Sequence, residues 1–402
     1  MNFLAPSGTP IHASHIAKWI SNSLSSQDVL ETFSAKIKSA FDVKHCLFVS
    51  SGRTALYLLL KCLYELKGES ARNQVIIPSY TCFSVPGSVE KAHLQVRICD
   101  INPTTLSYDL GQLSRFDFSK VLAIVTSNLY GIPNDLPEIE KIARKNGVYL
   151  IDDAAQSMGA KVDGRFSGAY GDVGLYSLDK GKNITSIQGG IVVTNSDLIA
   201  ESMKRIIQSL PGQSSLNVFA DCIKLLLYAV LLPPNRYWVV TKLPFLGLGL
   251  TPYTTDYPVH QYSKIMAAIA DLLFDDLAAI TQTRVSNART LENRLGKLPG
   301  LSLIDFKDKV EPVFLRFPVL IHDYAIRDKL TTELNKQGIG ATHSYPSSIL
   351  DIDQLQQKLI DNKGSAKGGK QVAEQILTLP THPYSQGPHM EKIEQIFKSI
   401  LT

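Results

Sequence analysis

No pair of cysteines in this chain is spaced as CxxC, no HExxH occurs, and the nine histidines are scattered. A zinc site needs ligands at such spacings, so no metal centre is expected. The five cysteines (Cys46, Cys62, Cys82, Cys99 and Cys222) are an odd number without metal-ligand spacing. Reduced thiols in a cytoplasmic protein are the natural reading. The N-terminus, MNFLAPSGTPIHASHIAKWI, lacks the charged region and long apolar core of a signal peptide. Charge of one sign is also missing: 41 Lys+Arg stand against 37 Asp+Glu, a formal net charge of +4. The basic residues are not gathered into a cluster, so nucleic acid is not an expected partner. The balance suits small anionic ligands instead.

What is present is enough apolar residue, 44% of 402 positions, for a sizeable core. That length accommodates two domains. Residues 16–41 carry apolar positions at helical spacing, interrupted near 22–27, and predict two helices leading into a strand at Cys46–Val49. The sequence then reads SSGRTALYLLLKCL: a small-residue turn at Ser50, Ser51 and Gly52, followed by a strongly apolar helix. Strand, tight turn and helix N-terminus together make an anion site or a well-capped core helix. Neither a GxxxxGK[ST] nor a GxGxxG pattern stands there, so nucleotide binding of the familiar kinds gets no support.

Short apolar strands then alternate with helical stretches: 75–78, 96–101, 121–127 and 148–152. The pattern predicts an α/β fold, a mainly parallel sheet with helices on both faces. Ligands on such sheets bind at the carboxyl ends of the strands. Residues 51–52, 80–83, 128–130 and 153–156 each follow a strand and are expected to line one crevice. The strand at 148–152 ends in Asp152 and Asp153, and Lys182 lies between the strand at 174–178 and the Gly189-Gly190 turn. A carboxylate and a lysine on one sheet suit pyridoxal phosphate, whose ring nitrogen wants an acid and whose aldehyde wants an amine.

From about 217 to 250 the composition turns apolar, with an unbroken run at Leu225–Leu232 closed by Pro233-Pro234. The run is too short to span a bilayer. Burial against the main domain or in a subunit interface is the simpler expectation, and weak contact with a membrane surface is the alternative. One long helix is predicted from 262 to 295, and a mobile loop at KGSAKGGK (363–370). Domains are expected at 1–255, with an N-terminal helical arm and the apolar insertion, and at 256–402, a smaller α+β lobe.

SSGRTAL (50–56), VIIPSYTCFSV (75–85), VRICDINPTTLSYD, NLYG (128–131), LIDDAAQSMGA (150–160), YSLDKGKNITSIQGGIVVT (176–194) and LTLPTHP (377–383) occur in an order and spacing that resembles the DegT/DnrJ/EryC1/StrS family. These are nucleotide-sugar aminotransferases of pyridoxal-phosphate fold type I. The resemblance implies a homodimer with shared active sites, glutamate as amino donor with 2-oxoglutarate as its product, and a 4-keto or 3-keto deoxysugar nucleotide as acceptor. Glycan, polysaccharide or secondary-metabolite biosynthesis would be the setting. It further implies that Lys182, chosen over Lys180 by its distance from Tyr176-Ser177, bonds the cofactor. Asp153 would hold the ring nitrogen, and Gln156 would lie at the phenolic oxygen. Gly52 and Arg53 would present backbone N–H groups, and Ser177 a hydroxyl, to the phosphate.

Several positions depart from the family pattern. Arg53 stands where Thr is usual, Cys82 where a ring-stacking aromatic is usual (leaving Phe83 or Tyr80 for that role), and Asn128 where His is usual. The HQYS at 260–263 and HSYPSS around Tyr345 keep little of the family's substrate-side motifs. Two rival readings are a sugar dehydratase of the same superfamily, in which the lysine is replaced by histidine, and a non-catalytic regulatory or membrane-peripheral protein.

Overall fold

The computed structural model describes residues 2–23, 28–68, 71–242, 252–356, 358–359 and 366–402. Helices α1 (Ala13–Ser23) and α2 (Val29–Phe41) precede strand β1 (His45–Val49). The break between them ends at Asp28, whose carboxylate caps α2 by accepting from Leu30 N at 3.1 Å. Helix α3 (Gly52–Leu66) follows, capped by Ser51, and then β2 (Gln74–Pro78), α4 (Ser84–Lys91) and β3 (Gln95–Cys99). Next come β4 (Val121–Val125), α5 (Leu136–Asn146), β5 (Tyr149–Asp153), β6 (Val173–Ser177) and β7 (Gly190–Thr194).

These seven strands form one sheet in the order β1-β7-β6-β5-β4-β2-β3. It is parallel from β6 to β3, while β7 runs antiparallel to both β1 and β6. Helix-bearing connections leave both faces covered, which is why β2 and β4 are buried along their whole length. One face packs on α3, α4 and α6 (Asp197–Ser209); the other packs on α1, α2 and a later helix.

The insertion folds as α7 (Ser215–Leu231) and α8 (Pro234–Thr241), separated at the paired prolines. Burial against the main domain holds for one face of α7 only: Asp221 and Leu225 are buried, whereas Leu216, Phe219, Ile223, Leu227 and Val230 are exposed. The single helix expected over 262–295 is two, α9 (Lys264–Asp275) and α10 (Leu277–Leu295), meeting at Asp276. The division follows the packing. Met266, Ala267, Ile269, Ala270 and Leu273 of α9 bury against α1 and α2, while Ala288, Leu291 and Leu295 of α10 join the C-terminal core.

That core covers a three-stranded antiparallel sheet of β8 (Leu301–Leu303), β9 (Arg316–Ile321) and β10 (Ile376–Pro380), with α11 (Tyr324–Lys336), α12 (Lys367–Gln375) and α13 (Gly387–Leu401). The stretch expected as a mobile loop opens α12 instead; its residues 363–365 lie outside those described. Gly368 N and Gly369 N each donate to the Asp100 carboxylate at 3.0 Å. A Cβ at Gly368 would lie 1.8 Å from Ile101 O, so glycine here permits close docking and not looseness. Tyr80, Leu129, Tyr130 and Ile132 of the large sheet's loops enter the C-terminal core, so the two lobes share packing beside the strand ends.

Candidate active site

Adjacent residues on a strand point to opposite faces, and this separates the two acids that close β5. Asp152 is fully buried and turns into the protein. Its carboxylate accepts from Thr126 Oγ1 (3.0 Å), Asn128 Nδ2 (2.7 Å) and Gly168 N (2.6 Å). It fastens β5 to the end of β4 and to the turn before β6. Asp153 faces the other way. Its Oδ1 accepts from Ala155 N at 2.9 Å, and the Lys182 ammonium lies within electrostatic reach. Burial pushes the Asp153 carboxyl up to about 6, against the opposing pull of Ala155 N–H and Lys182. Lys182 is half-buried and Lys180 exposed; of the two, Lys182 is the charge that Asp153 feels.

Lys182 sits on the loop between β6 and β7, which is held from outside. The Thr9 hydroxyl is shared between Lys182 O (2.9 Å) and Asn183 O (2.8 Å), and Ser7 Oγ donates to Gly181 O at 2.8 Å. Tyr228 of α7 accepts from Thr9 N and donates to Lys180 O, both at 2.9 Å. Asp221 of the same helix accepts from Gln188, near the end of the loop. The insertion and the N-terminal segment therefore brace the lysine loop, a role no local sequence pattern announced.

Beside this pair, the first turn of α3 meets β6. A Cβ on Gly52 would lie 2.9 Å from Ser177 Cβ, so the backbone there approaches Ser177 as closely as glycine permits. Helix geometry leaves the N–H groups of Gly52 and Arg53 without intrahelical partners, and the Ser177 hydroxyl lies next to them. The arrangement is a ready cup for an anion. The Arg53 guanidinium does not enter the cup: it stacks over Tyr257 at 5.0 Å, where Lys91 also lies at 4.5 Å. Arg53 thus offers its backbone.

On the far side of β5, Gln156 bridges the lobes. Its Oε1 accepts from Tyr130 N and its Nε2 donates to Tyr345 Oη, both at 3.0 Å. Tyr130 holds φ 58°, an uncommon left-handed geometry for a bulky side chain, which this bond helps to fix. The Tyr80 hydroxyl contacts Tyr130 Oη (3.4 Å), donates to C-terminal backbone at His343 O (3.3 Å), and its ring is fully buried. Phe83 stacks on Tyr345 with centroids 6.2 Å apart. Asn128, besides bonding Asp152, donates to Asp153 O at 2.8 Å and accepts from Asn134 N at 2.8 Å. It is a brace for both acids.

The residues fit pyridoxal phosphate on their own chemistry. A half-buried carboxyl pushed above its usual range suits a protonated ring nitrogen. An amine stands within its field, and the glycine–serine cup at a helix start suits a phosphate. Among the described residues no group of His, Cys, Asp and Glu has the form of a metal site.

The profile of the DegT/DnrJ/EryC1/StrS aminotransferase family matches residues 14–219 and 258–400. A "Pleiotropic regulatory protein" of Geobacillus stearothermophilus is 27% identical over 92% of this chain and 90% of its own length. A UDP-N-acetyl-3-dehydro-alpha-D-glucosamine 3-aminotransferase of Acidithiobacillus ferrooxidans is 24% identical over 91% and 87%. Among solved structures, the Helicobacter pylori aminotransferase PseC superposes with a TM-score of 0.81 over 100% of this chain and 99% of its own, at 18% identity.

Proposed function

The chain belongs to the DegT/DnrJ/EryC1/StrS aminotransferase family, and from that premise we propose that it transfers an amino group from glutamate to a keto-sugar nucleotide with pyridoxal phosphate as cofactor. The observation that carries this reading is that Lys182 lies within the electrostatic field of Asp153 at the end of β5, with the Gly52–Ser177 cup at the end of the adjacent β6. When bound, the cofactor supplies an aldehyde that takes up amino groups and a ring that stores the electron pair released at the neighbouring carbon.

The chain's own groups do the rest. Lys182 Nζ would hold the aldehyde and, as a free amine, would serve as base and then as acid for the proton at the amino acid's α-carbon. Asp153 would keep a proton on the ring nitrogen, and Gly52 N, Arg53 N and Ser177 Oγ would bind the phosphate. Gln156 would serve the phenolic oxygen and Phe83 the ring face. Asp152 and Asn128 act through Asp153 by fixing its strand end. The acceptor is proposed as a 4-keto or 3-keto sugar nucleotide in glycan or secondary-metabolite assembly. A cytoplasmic homodimer with shared sites is proposed as the working form. The five cysteines are all free, three of them buried, which suits a reducing compartment.

The non-catalytic reading takes support from the name of the Geobacillus relative. Retention of the lysine and its acid argues against it here, and the same lysine argues against a dehydratase. Replacing Lys182 with Ala should abolish the visible absorbance of lysine-bound cofactor and all glutamate-dependent amination. Wild-type protein is best screened against keto-sugar nucleotides with glutamate, following 2-oxoglutarate by mass spectrometry. Should the K182A protein keep the lysine-bound spectrum, the assignment fails.

A further inference from the structure

Helix α7 turns its polar anchors inward and its apolar residues outward. Asp221 and Tyr228 face the lysine loop, together with buried Leu225. The outward face carries Leu216 (81% exposed), Phe219 (65%), Ile223 (41%), Leu226 (36%), Leu227 (52%) and Val230 (50%). Their spacing of three and four residues sets them in one stripe, about 21 Å long from Leu216 to Val230. Single exposed leucines are ordinary, but a continuous apolar stripe over four turns marks a contact surface.

The charge around the stripe says what it meets. Between Glu201 and Asp256 the sequence holds five cations (Lys204, Arg205, Lys224, Arg236 and Lys242) and one acid, Asp221. Five minus one gives +4, the formal net charge of the entire chain, so the remaining residues together are neutral. Asp221 is buried and already paired with Lys224 at 2.9 Å. Lys224 flanks the stripe. Arg236 and Lys242 are exposed on and just after α8, with Lys242 lying 4.9 Å over the Trp238 ring. Residues 220–257, which carry Ile223 to Val230 of the stripe and three of the five cations (Lys224, Arg236 and Lys242), fall between the segments that the family profile matches.

We propose that α7 and α8 dock the protein on an anionic lipid surface. The apolar stripe would enter the boundary between headgroups and acyl chains, and the cations would lie against lipid phosphates. The helices lie on the surface and do not cross it: no described helix is long and apolar enough to span a membrane. A two-fold contact between copies of this chain through the same stripe would gather the exposed Arg236 and Lys242 of both copies at one interface with no exposed acid from this stretch to answer them. An acidic bilayer removes that repulsion.

Flotation of the purified full-length holoprotein tests the proposal, using vesicles of phosphatidylcholine alone and with about 30% phosphatidylglycerol. The protein should float with the anionic vesicles and not with the neutral ones, and salt should weaken binding. The double variant I223E/L227E should lose about tenfold in bound fraction, while keeping its elution mass and visible cofactor absorbance. K224Q/R236Q/K242Q should bind less and lose the salt dependence; this variant decides the matter if the double glutamate variant does not fold. Wild-type protein that stays at the bottom of the gradient, or an I223E/L227E protein that floats as well as wild type, overturns the proposal. A change of oligomer mass in I223E/L227E would assign the stripe to a protein contact and overturn it equally.

Discussion

Two neighbouring acids, Asp152 and Asp153, differ in what surrounds them more than in anything a linear reading of β5 contains. Asp152 spends its oxygens on three donors and has none left for a ligand. Asp153 keeps one oxygen for Ala155 N–H and meets the field of Lys182. Its raised carboxyl, about 6 against an ordinary 3.8, means that the folded chain holds that proton more tightly than the unfolded chain does. The sign follows: this group favours folding most below the ordinary value, and the contribution is lost as pH rises through about 6. Above that range the ionised carboxylate is a cost that a cationic ring nitrogen would relieve. Asp153→Asn should therefore raise the thermal midpoint of cofactor-free protein at pH 8 by an amount worth about 1–2 kcal/mol, with the gain shrinking toward pH 4. It should also weaken cofactor binding. Calorimetry at the two pH values checks the first part and absorbance titration the second; a midpoint equally shifted at both pH values would remove the titration from the account. Motif order prefers Asp153 to Asp152, and the strand pleat sets the two on opposite faces. The role of Asn128 was not legible in the sequence: its bonds run to residues 24 and 25 positions away, and nothing local encodes them.

At the scale of elements, the alternation of strands and helices was open to reading because hydrophobic period and capping residues are local. The errors fall where tertiary contact overrides local composition. Gly368 and Gly369 look like loop formers, yet the Asp100 carboxylate caps their N–H groups and the sheet leaves no room for a side chain. The helical period runs unbroken through Asp276, but α9 and α10 serve different cores and part there. The brace from α7 to the lysine loop is of the same kind, since Tyr228 lies 48 residues from Lys180 and 219 from Thr9. Removing its hydroxyl by Tyr228→Phe leaves Thr9 N–H and Lys180 O without that partner, at a cost of about 1–3 kcal/mol. Since both groups hold the backbone on either side of Lys182, the loss should appear as several-fold weaker cofactor retention with the ring otherwise in place. Absorbance titration of the variant with pyridoxal phosphate measures this. Wild-type affinity in Y228F would show that the loop is held without α7.

Across the whole molecule the N-terminal segment acts as a strap. Leu4 N donates to Gly338 O and Leu4 O accepts from Gly340 N, both at 2.8 Å, so the segment runs along the C-terminal lobe. Phe3 N reaches Pro234 O of the insertion at 2.9 Å, and Thr9 holds the lysine loop. Two buried groups lock the strap from beneath. The Arg284 guanidinium donates to Gly8 O at 2.8 Å and Leu315 O at 2.9 Å, and His382 Nε2 donates to Ala5 O at 2.8 Å. Burial, reinforced by the positive charges of Arg284 and Arg316, lowers the His382 imidazole to about 3 from an ordinary 6.5. In the window between those values the unfolded chain binds the proton that the folded chain refuses. Stability contributed by neutral His382 is thus complete above 6.5 and is lost as pH falls below it. Acid should loosen the strap at Ala5, and with it the contact between the C-terminal lobe and the lysine loop, before the parallel sheet unfolds. His382→Gln keeps a donor for Ala5 O and cannot titrate in this range. It should shift the acid limb of the stability curve to lower pH while leaving stability at pH 8 within about 1 kcal/mol of wild type. Hydrogen exchange of residues 3–9 followed from pH 8 to 5 reads the strap directly. If wild type and H382Q lose protection there at the same pH, the acid sensitivity belongs to other groups and not to His382.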